Sequence, residues 1–161
     1  MEEQTFHALY AATAKPLWAY IARVSGRPDI ANDLVQETYC RFLTSQLGKA
    51  ELAEARPYLF RIATNLLRDR WRKGEDTIWS EPPEPGLERD LDTQIDVRDL
   101  MQQLKPRERQ LLWLAYVEGM THSEIAKSTG LQSMSVRILL LRARRRAAEL
   151  LARKERAVHE V

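Results

Sequence analysis

From Phe6 to Val24, apolar residues return every three or four positions, at Phe6, Leu9, Tyr10, Leu17, Trp18, Ile21 and Val24. This is the period of one helix face, and Pro16 within it predicts a second helix start or a kink, that is, helical-hairpin material. Beyond the turn at Gly26–Pro28, Asp29 is a candidate N-cap for a helix to about Leu47. Its apolar stripe is Ile30, Leu34, Val35, Tyr39, Phe42 and Leu43, and its opposite face holds Asp33, Gln36, Glu37 and Arg41. Residues 44–55 read as a loop or short turn, and a third amphipathic helix is expected from Pro57, a helix-start signal, to about Lys73.

The pattern then breaks. Residues 74–96 place Pro82, Pro83, Pro85 and Gly86 among acids, a linker composition expected to be mostly irregular. Helical periodicity resumes at VRDLMQQL. After Pro106, an apolar-striped helix over Arg107–Val117 ends at Gly119. A short helix around Ser123–Thr129, a turn at Gly130 and a long helix from about Ser133 to beyond Leu150 complete the chain. No segment alternates as a sheet strand does, so the expected fold class is all-α.

Charge sharpens this division. A formal net charge of +2 conceals 11 bases and 8 acids in residues 1–73, 1 and 8 in residues 74–96, and 13 and 7 in residues 97–161. Two basic modules flank an acidic strip, and basic modules suit a polyanion because each Lys or Arg set on a phosphate releases counterions. A solvated surface is the alternative on charge alone.

Within the C-terminal module, THSEIAKSTGLQSMSVRILLLRARRRAAEL has the layout of a helix-turn-helix. A short helix carries small Ala126 on its inner face, Gly130 makes the turn, and the second helix begins polar. Ile125, Leu131, Val136 and Leu140 would lock the pair together. Such a unit sets the start of its second helix in the major groove, which makes Gln132, Ser133, Ser135 and Arg137 candidates for base or phosphate contact. Arg142, Arg144, Arg145 and Arg146 lie further along and suit the DNA backbone. Arg137–Arg156 holds 8 bases and 2 acids, enough for a salt-sensitive grip. A helical hairpin with a basic tail is the simpler alternative.

In the N-terminal module Arg61, Asn65, Arg68 and Arg72 follow spacings of 4, 3 and 4 and share one helix face, with Leu59, Ile62 and Leu66 turned inward. Tyr58, Phe60 and Trp71 add aromatic rings nearby. Guanidinium groups interleaved with rings suit single-stranded DNA, since rings stack on unpaired bases while cations hold phosphates. Aromatic residues at this spacing equally suit a core.

Three stretches in order, IANDLVQETYCRFL at 30–43, RPYLFRIATNLLRDRWRK at 56–73 and LKPRERQLLWLAYVEGMTHSEIAKSTG at 104–130, carry a family resemblance. The chain resembles the sigma-70 family, specifically the extracytoplasmic-function (ECF) group, whose members retain only region 2 and region 4. The resemblance implies two small helical domains, a region 2 bundle over 1–73 and a region 4 helix-turn-helix over 97–161, joined by a flexible acidic linker over 74–96. It implies that Asp33, Leu34, Gln36 and Glu37 dock on the clamp helices of the largest subunit of core RNA polymerase. It also implies that Asn65, with Arg61, Arg68 and Arg72, stabilises the opened −10 strand, and that the second helix of region 4 reads the −35 duplex through Gln132, Ser133, Ser135, Arg137 and Arg142.

The 23 linker residues reach at most about 75 Å at ~3.3 Å each, roughly two duplex turns, enough to bridge two promoter elements. The eight acids could mimic a nucleic-acid chain among basic walls, or merely solvate a tether. One departure from the family pattern stands out. Met134 replaces a common Gly, and Ile138, Leu139 and Leu141 put apolar side chains on faces that Val136, Leu140, Ala143 and Ala147 do not need for packing. Either the −35 contacts are unusual or this helix buries against a partner, an inhibitory anti-sigma factor being one candidate.

Other classes are poorly served by the sequence. Cys40 is the only cysteine, and His7, His122 and His159 lie far apart, so no disulfide framework or spaced metal motif can be written. No apolar run approaches the ~18 residues of a membrane span, and an N-terminus beginning MEEQ is acidic where a secretory signal is basic. A soluble cytoplasmic protein without membrane insertion is therefore expected. No catalytic motif or Gly-rich phosphate loop is present, so neither an enzyme nor a cofactor is expected. The remaining rival is a stand-alone helix-turn-helix regulator, binding a symmetric duplex site as a dimer.

Overall fold

A computed structural model describes residues 3–45, 52–73 and 97–159. These residues are helical, with no strand among them. The helices are α1 (Glu3–Ser25), α2 (Pro28–Thr44), α3 (Leu52–Arg72), α4 (Val97–Gln103), α5 (Pro106–Leu112), α6 (His122–Thr129) and α7 (Ser133–His159). A π-helical turn, Trp113–Val117, continues α5. The 74–96 segment expected to be a linker lies outside the described residues, as do residues 46–51.

The N-terminal helices form a three-helix unit. α1 is one helix, not a hairpin: Pro16 sits inside it. The proline removes one backbone donor. Leu9, Leu17, Tyr20, Ile21 and Val24, buried on both sides of Pro16, hold the helix through that missing rung. Tyr10 and Trp18, expected in the stripe, are exposed. α2 starts at Pro28 with Arg27 rather than Asp29 in the cap position. Proline fits there because a first-turn N–H has no helical partner to lose. Asp29 instead pairs with Arg27 at 2.6 Å in the first turn, where a carboxylate favours the helix dipole. α3 begins at Leu52, earlier than Pro57 suggests, and buries Ala55, Leu59, Phe60, Ala63, Leu66 and Leu67 against α1 and α2.

In the C-terminal unit α7 is the spine, packed on α5 and α6. Thr121 accepts from the Glu124 amide at 3.2 Å while Glu124 accepts from the Thr121 amide at 3.1 Å, a reciprocal cap that starts α6. Gly130 ends α6 with φ +81°, a left-handed conformation that a Cβ disfavours. Ile125, Val136 and Leu140 are buried and Leu131 half-buried, the locking contacts expected of a helix-turn-helix. At the far end, Lys154 of α7 meets Asp99 of α4 at 3.0 Å.

The two units pack on each other, α6 against α3 and α5 against α1. At the centre of this seam, the fully buried Tyr20 hydroxyl hydrogen-bonds Thr64 at 2.7 Å and accepts from the Gln110 side-chain amide at 2.9 Å. Burial pushes the Tyr20 phenol above its usual range. Tyr20→Phe leaves the buried Gln110 amide without its best acceptor, so it is expected to lower stability by about 1–3 kcal/mol in urea denaturation.

Candidate nucleic-acid interface

α3 places Arg61, Asn65, Arg68 and Arg72 along one face, as the spacing requires. Asn65 and Arg72 are exposed, whereas Arg61 and Arg68 are half-buried because the C-terminal unit lies over that part of the helix. The Arg61 guanidinium rests on the Gly130 turn, occupying the space that a Cβ at Gly130 would take. Arg107 of α5 adds a further cation. Burial depresses the Arg68 pKa, and Arg61 and Arg72 depress it further. Burial likewise depresses Arg107, with Arg68 adding to the effect. Guanidinium groups stay charged, so the depression reflects first the loss of water around these cations and second their repulsion of one another. A phosphate chain would relieve that repulsion.

The same seam carries a close ion pair. Arg56 of α3 donates to the Glu118 carboxylate at 2.9 Å and to its backbone carbonyl. The Glu118 side chain is only 6% exposed. Arg109 of α5 is 3% exposed with its Nε lacking a hydrogen-bond partner, and burial depresses its pKa. The contact between units is thus made by a continuous apolar core, by Arg56–Glu118 and by the Tyr20–Gln110–Thr64 group, with several arginines buried beside them.

The aromatic part of the expected strand-binding surface requires correction. Phe60 is fully buried, its ring 5.1 Å from that of Tyr20 in an edge-on contact. Tyr58 is half-buried, and the side chain of Trp71 lies outside the described residues. Periodicity alone does not separate a ring packed in the core from one offered to a base.

On α2, Asp33, Gln36 and Glu37 are exposed together, with Glu37 paired to Arg41 at 2.9 Å one turn on. Leu34, assigned to the same docking surface, is 3% exposed and faces the α1–α3 core. It packs beneath the exposed Asp33, Gln36 and Glu37.

On the helix-turn-helix, Gln132, Ser133, Arg137 and Arg142 are exposed at and beyond the start of α7, while Ser135 is half-buried at the flank. Arg144 stacks on the Tyr116 ring at 5.9 Å, and Arg146 meets Glu149 at 3.5 Å. Met134, Ile138 and Leu141 are absent from the polar and cationic set that the sequence marks for DNA, yet these side chains stand outermost on α7.

An apolar cavity of about 340 Å³ between α4, α5 and α7, lined by Leu104, Leu112, Trp113, Tyr116 and Ala147, has Arg144 as its charged edge. Among the described residues no His, Cys, Asp and Glu cluster could hold a metal, and no helix is long and apolar enough to cross a membrane.

Comparison with known proteins bears on both units. The family description "Sigma-70 region 2" matches residues 9–77, and "Sigma-70, region 4" matches residues 94–146. The chain is 29% identical over 146 residues to the ECF RNA polymerase sigma factor SigL of Mycobacterium tuberculosis, covering 84% of this chain and 82% of that protein. It is 27% identical over 162 residues to the RNA polymerase sigma factor CarQ of Myxococcus xanthus, covering 95% and 92%. Its fold resembles that of the sigma factor RpoE from Bartonella quintana, solved in complex with the anti-sigma factor NepR. The TM-score is 0.72 at 23% identity, over 91% of this chain and 96% of that one.

Proposed function

The chain belongs to the sigma-70 family, in its extracytoplasmic-function group, and from that premise we propose that it binds core RNA polymerase, directs it to specific promoters and assists their opening. The observation that carries this reading is the pairing, in one chain and in family order, of the cationic α3 face with a capped helix-turn-helix. A duplex-binding regulator needs only the second of these.

Residues 1–73 serve as region 2, 74–96 as the acidic linker and 97–161 as region 4. Asp33, Gln36 and Glu37 meet the clamp helices of the polymerase's largest subunit. Arg61, Asn65, Arg68 and Arg72 hold the opened −10 strand, offsetting an unstacking cost of a few kcal/mol per displaced base. The start of α7, from Gln132 to Arg142, reads the −35 duplex. The chain works in the cytoplasm, where core polymerase and promoter DNA are; catalysis belongs to the polymerase. An anti-sigma factor, of the kind bound to the Bartonella protein, is a further candidate partner.

Reaching two promoter elements about two duplex turns apart requires the α3 face and the Gly130 turn, now in contact, to separate. Polymerase binding supplies the competing contacts.

Sedimentation of the chain with core polymerase tests the docking step. One copy per polymerase is expected, and Asp33→Ala with Gln36→Ala should weaken the complex about tenfold, since interface truncations above 1 kcal/mol concentrate at a few positions. A dimer that binds duplex DNA and ignores polymerase would favour the stand-alone regulator.

A further inference from the structure

α7 points Val136, Leu140, Ala143 and Leu150 into the core. Directly opposite, at spacings of 4 and 3 residues, stand Met134 at 69% exposure, Ile138 at 50% and Leu141 at 46%. A helix that already buries one complete apolar face gains no packing from a second. Lined up on one side, they form an apolar stripe open to a binding partner. Their placement narrows what that is, because they lie on the outward face at the start of the second helix of a helix-turn-helix, the part that enters a major groove.

The flanks narrow it further. Arg137 and Arg142 are exposed on the two sides of the stripe, Arg145 is exposed one turn beyond Leu141, and the first turn of α7 carries no acid. An apolar ridge between cationic walls complements a groove whose edges are phosphates and whose floor carries an apolar group. Duplex DNA offers one such group in the major groove, the C5 methyl of thymine. The dimensions agree: a helix about 10–12 Å across fits a groove about 12 Å wide. The seven-residue step from Met134 to Leu141 rises about 10 Å, the length of roughly three base pairs.

We propose that Met134 and Ile138, with Leu141 one turn further, read thymine methyl groups in the upstream promoter element, and so set part of its sequence. This inference rests on the sigma-factor reading and adds to it a specificity that Gln132, Ser133, Ser135 and Arg137 do not supply. The polar residues and arginines supply hydrogen bonds and phosphate contacts; the stripe excludes water from the methyl edge. Replacing an A·T pair by G·C there would remove the methyl and leave the apolar side chains facing hydrogen-bonding groups alone.

The test uses holoenzyme formed from core polymerase and the full chain, on a promoter selected from random fragments by transcription. Each thymine of its upstream element is replaced singly by uracil, which removes the methyl and leaves the pairing edge intact. The expected result is a loss of about fourfold in holoenzyme affinity per methyl read, the equivalent of one buried CH2 group, at one to three positions. With Met134→Ala, Ile138→Ala and Leu141→Ala combined, the same uracil changes should cost nothing further. Thermal unfolding of that variant should match the parent, since all three side chains are exposed. Tolerance of uracil at every position overturns the inference, and so does an unchanged uracil penalty in the variant. A variant that binds promoters normally but loses a protein partner assigns the stripe to that partner instead and also overturns it. Failure of the underlying sigma-factor reading looks different, because no fragment is then transcribed, and the inference falls with it.

Discussion

Replacing Arg61, Arg68 and Arg72 together by alanine is expected to reduce promoter opening by about two orders of magnitude while closed-complex formation falls far less. Removing one guanidinium from its phosphate costs on the order of 1 kcal/mol or more, and three such removals compound to roughly 10²-fold. The salt dependence of opening should flatten as well. Each phosphate neutralised on a single strand adds about 0.7 to the slope, so three fewer lower it by about 2. Asn65→Ala, at an exposed position on the same face, should show the same bias towards opening with an unchanged salt slope. Permanganate footprinting of unpaired thymines, set beside a filter-binding measure of the closed complex, separates the two steps. Equal loss at both steps would remove the α3 face from strand capture. Arg61 and Arg68 also lie in the seam between units, so the unfolding midpoint of the triple variant must be measured alongside.

The second large effect concerns that seam. Glu118→Arg is expected to separate the two units, because it places a second guanidinium against Arg56 at a site where the native side chain is 6% exposed. With Glu118 buried but Arg56 33% exposed, the cost falls below the ~3–5 kcal/mol of breaking a fully buried pair. Against it the units set the apolar core they share and the Tyr20–Gln110–Thr64 hydrogen bonds, while burial of Arg68, Arg107 and Arg109 weakens the closed arrangement. Small-angle scattering should report a larger radius of gyration with helical content preserved. Adding Arg56→Glu in the same chain should restore the compact form. If the closed arrangement limits loading on to polymerase, the opened variant should also transcribe at lower chain concentration than the parent. An unchanged radius for Glu118→Arg would show that the seam does not depend on this pair.

Much of the fold was legible because helices announce themselves through a 3.6-residue period and strong punctuation. Gly130 and the Thr121–Glu124 pair mark the helix-turn-helix, and the structure turns there as the residues require. Prolines misled in two places. Pro16 and Pro57 lie inside α1 and α3, since tertiary burial outweighed a lost hydrogen bond that local rules treat as a boundary. The candidate site was legible as faces but not as contacts. The spacing of Arg61, Asn65, Arg68 and Arg72 placed them together, yet nothing in it foretold that Arg61 rests on Gly130 or that Gln110 reaches Tyr20, because those contacts join residues far apart in sequence. Leu34 and Phe60 were drawn into functional sets that burial then closed to them. Conversely, Met134, Ile138, Leu139 and Leu141 were visible as surplus apolar residues; Leu139 proves to pack half-buried on the core, and only the packing of α7 showed that the other three lie opposite its buried face.

The most direct test of the central claim is run-off transcription by core polymerase from the bacterium that encodes the chain, with and without it, on a library of random promoter fragments. The account predicts transcripts that appear only when the chain is present and that share a two-part upstream motif. No chain-dependent transcript, together with tight binding of the chain alone as a dimer to one symmetric duplex, would contradict it.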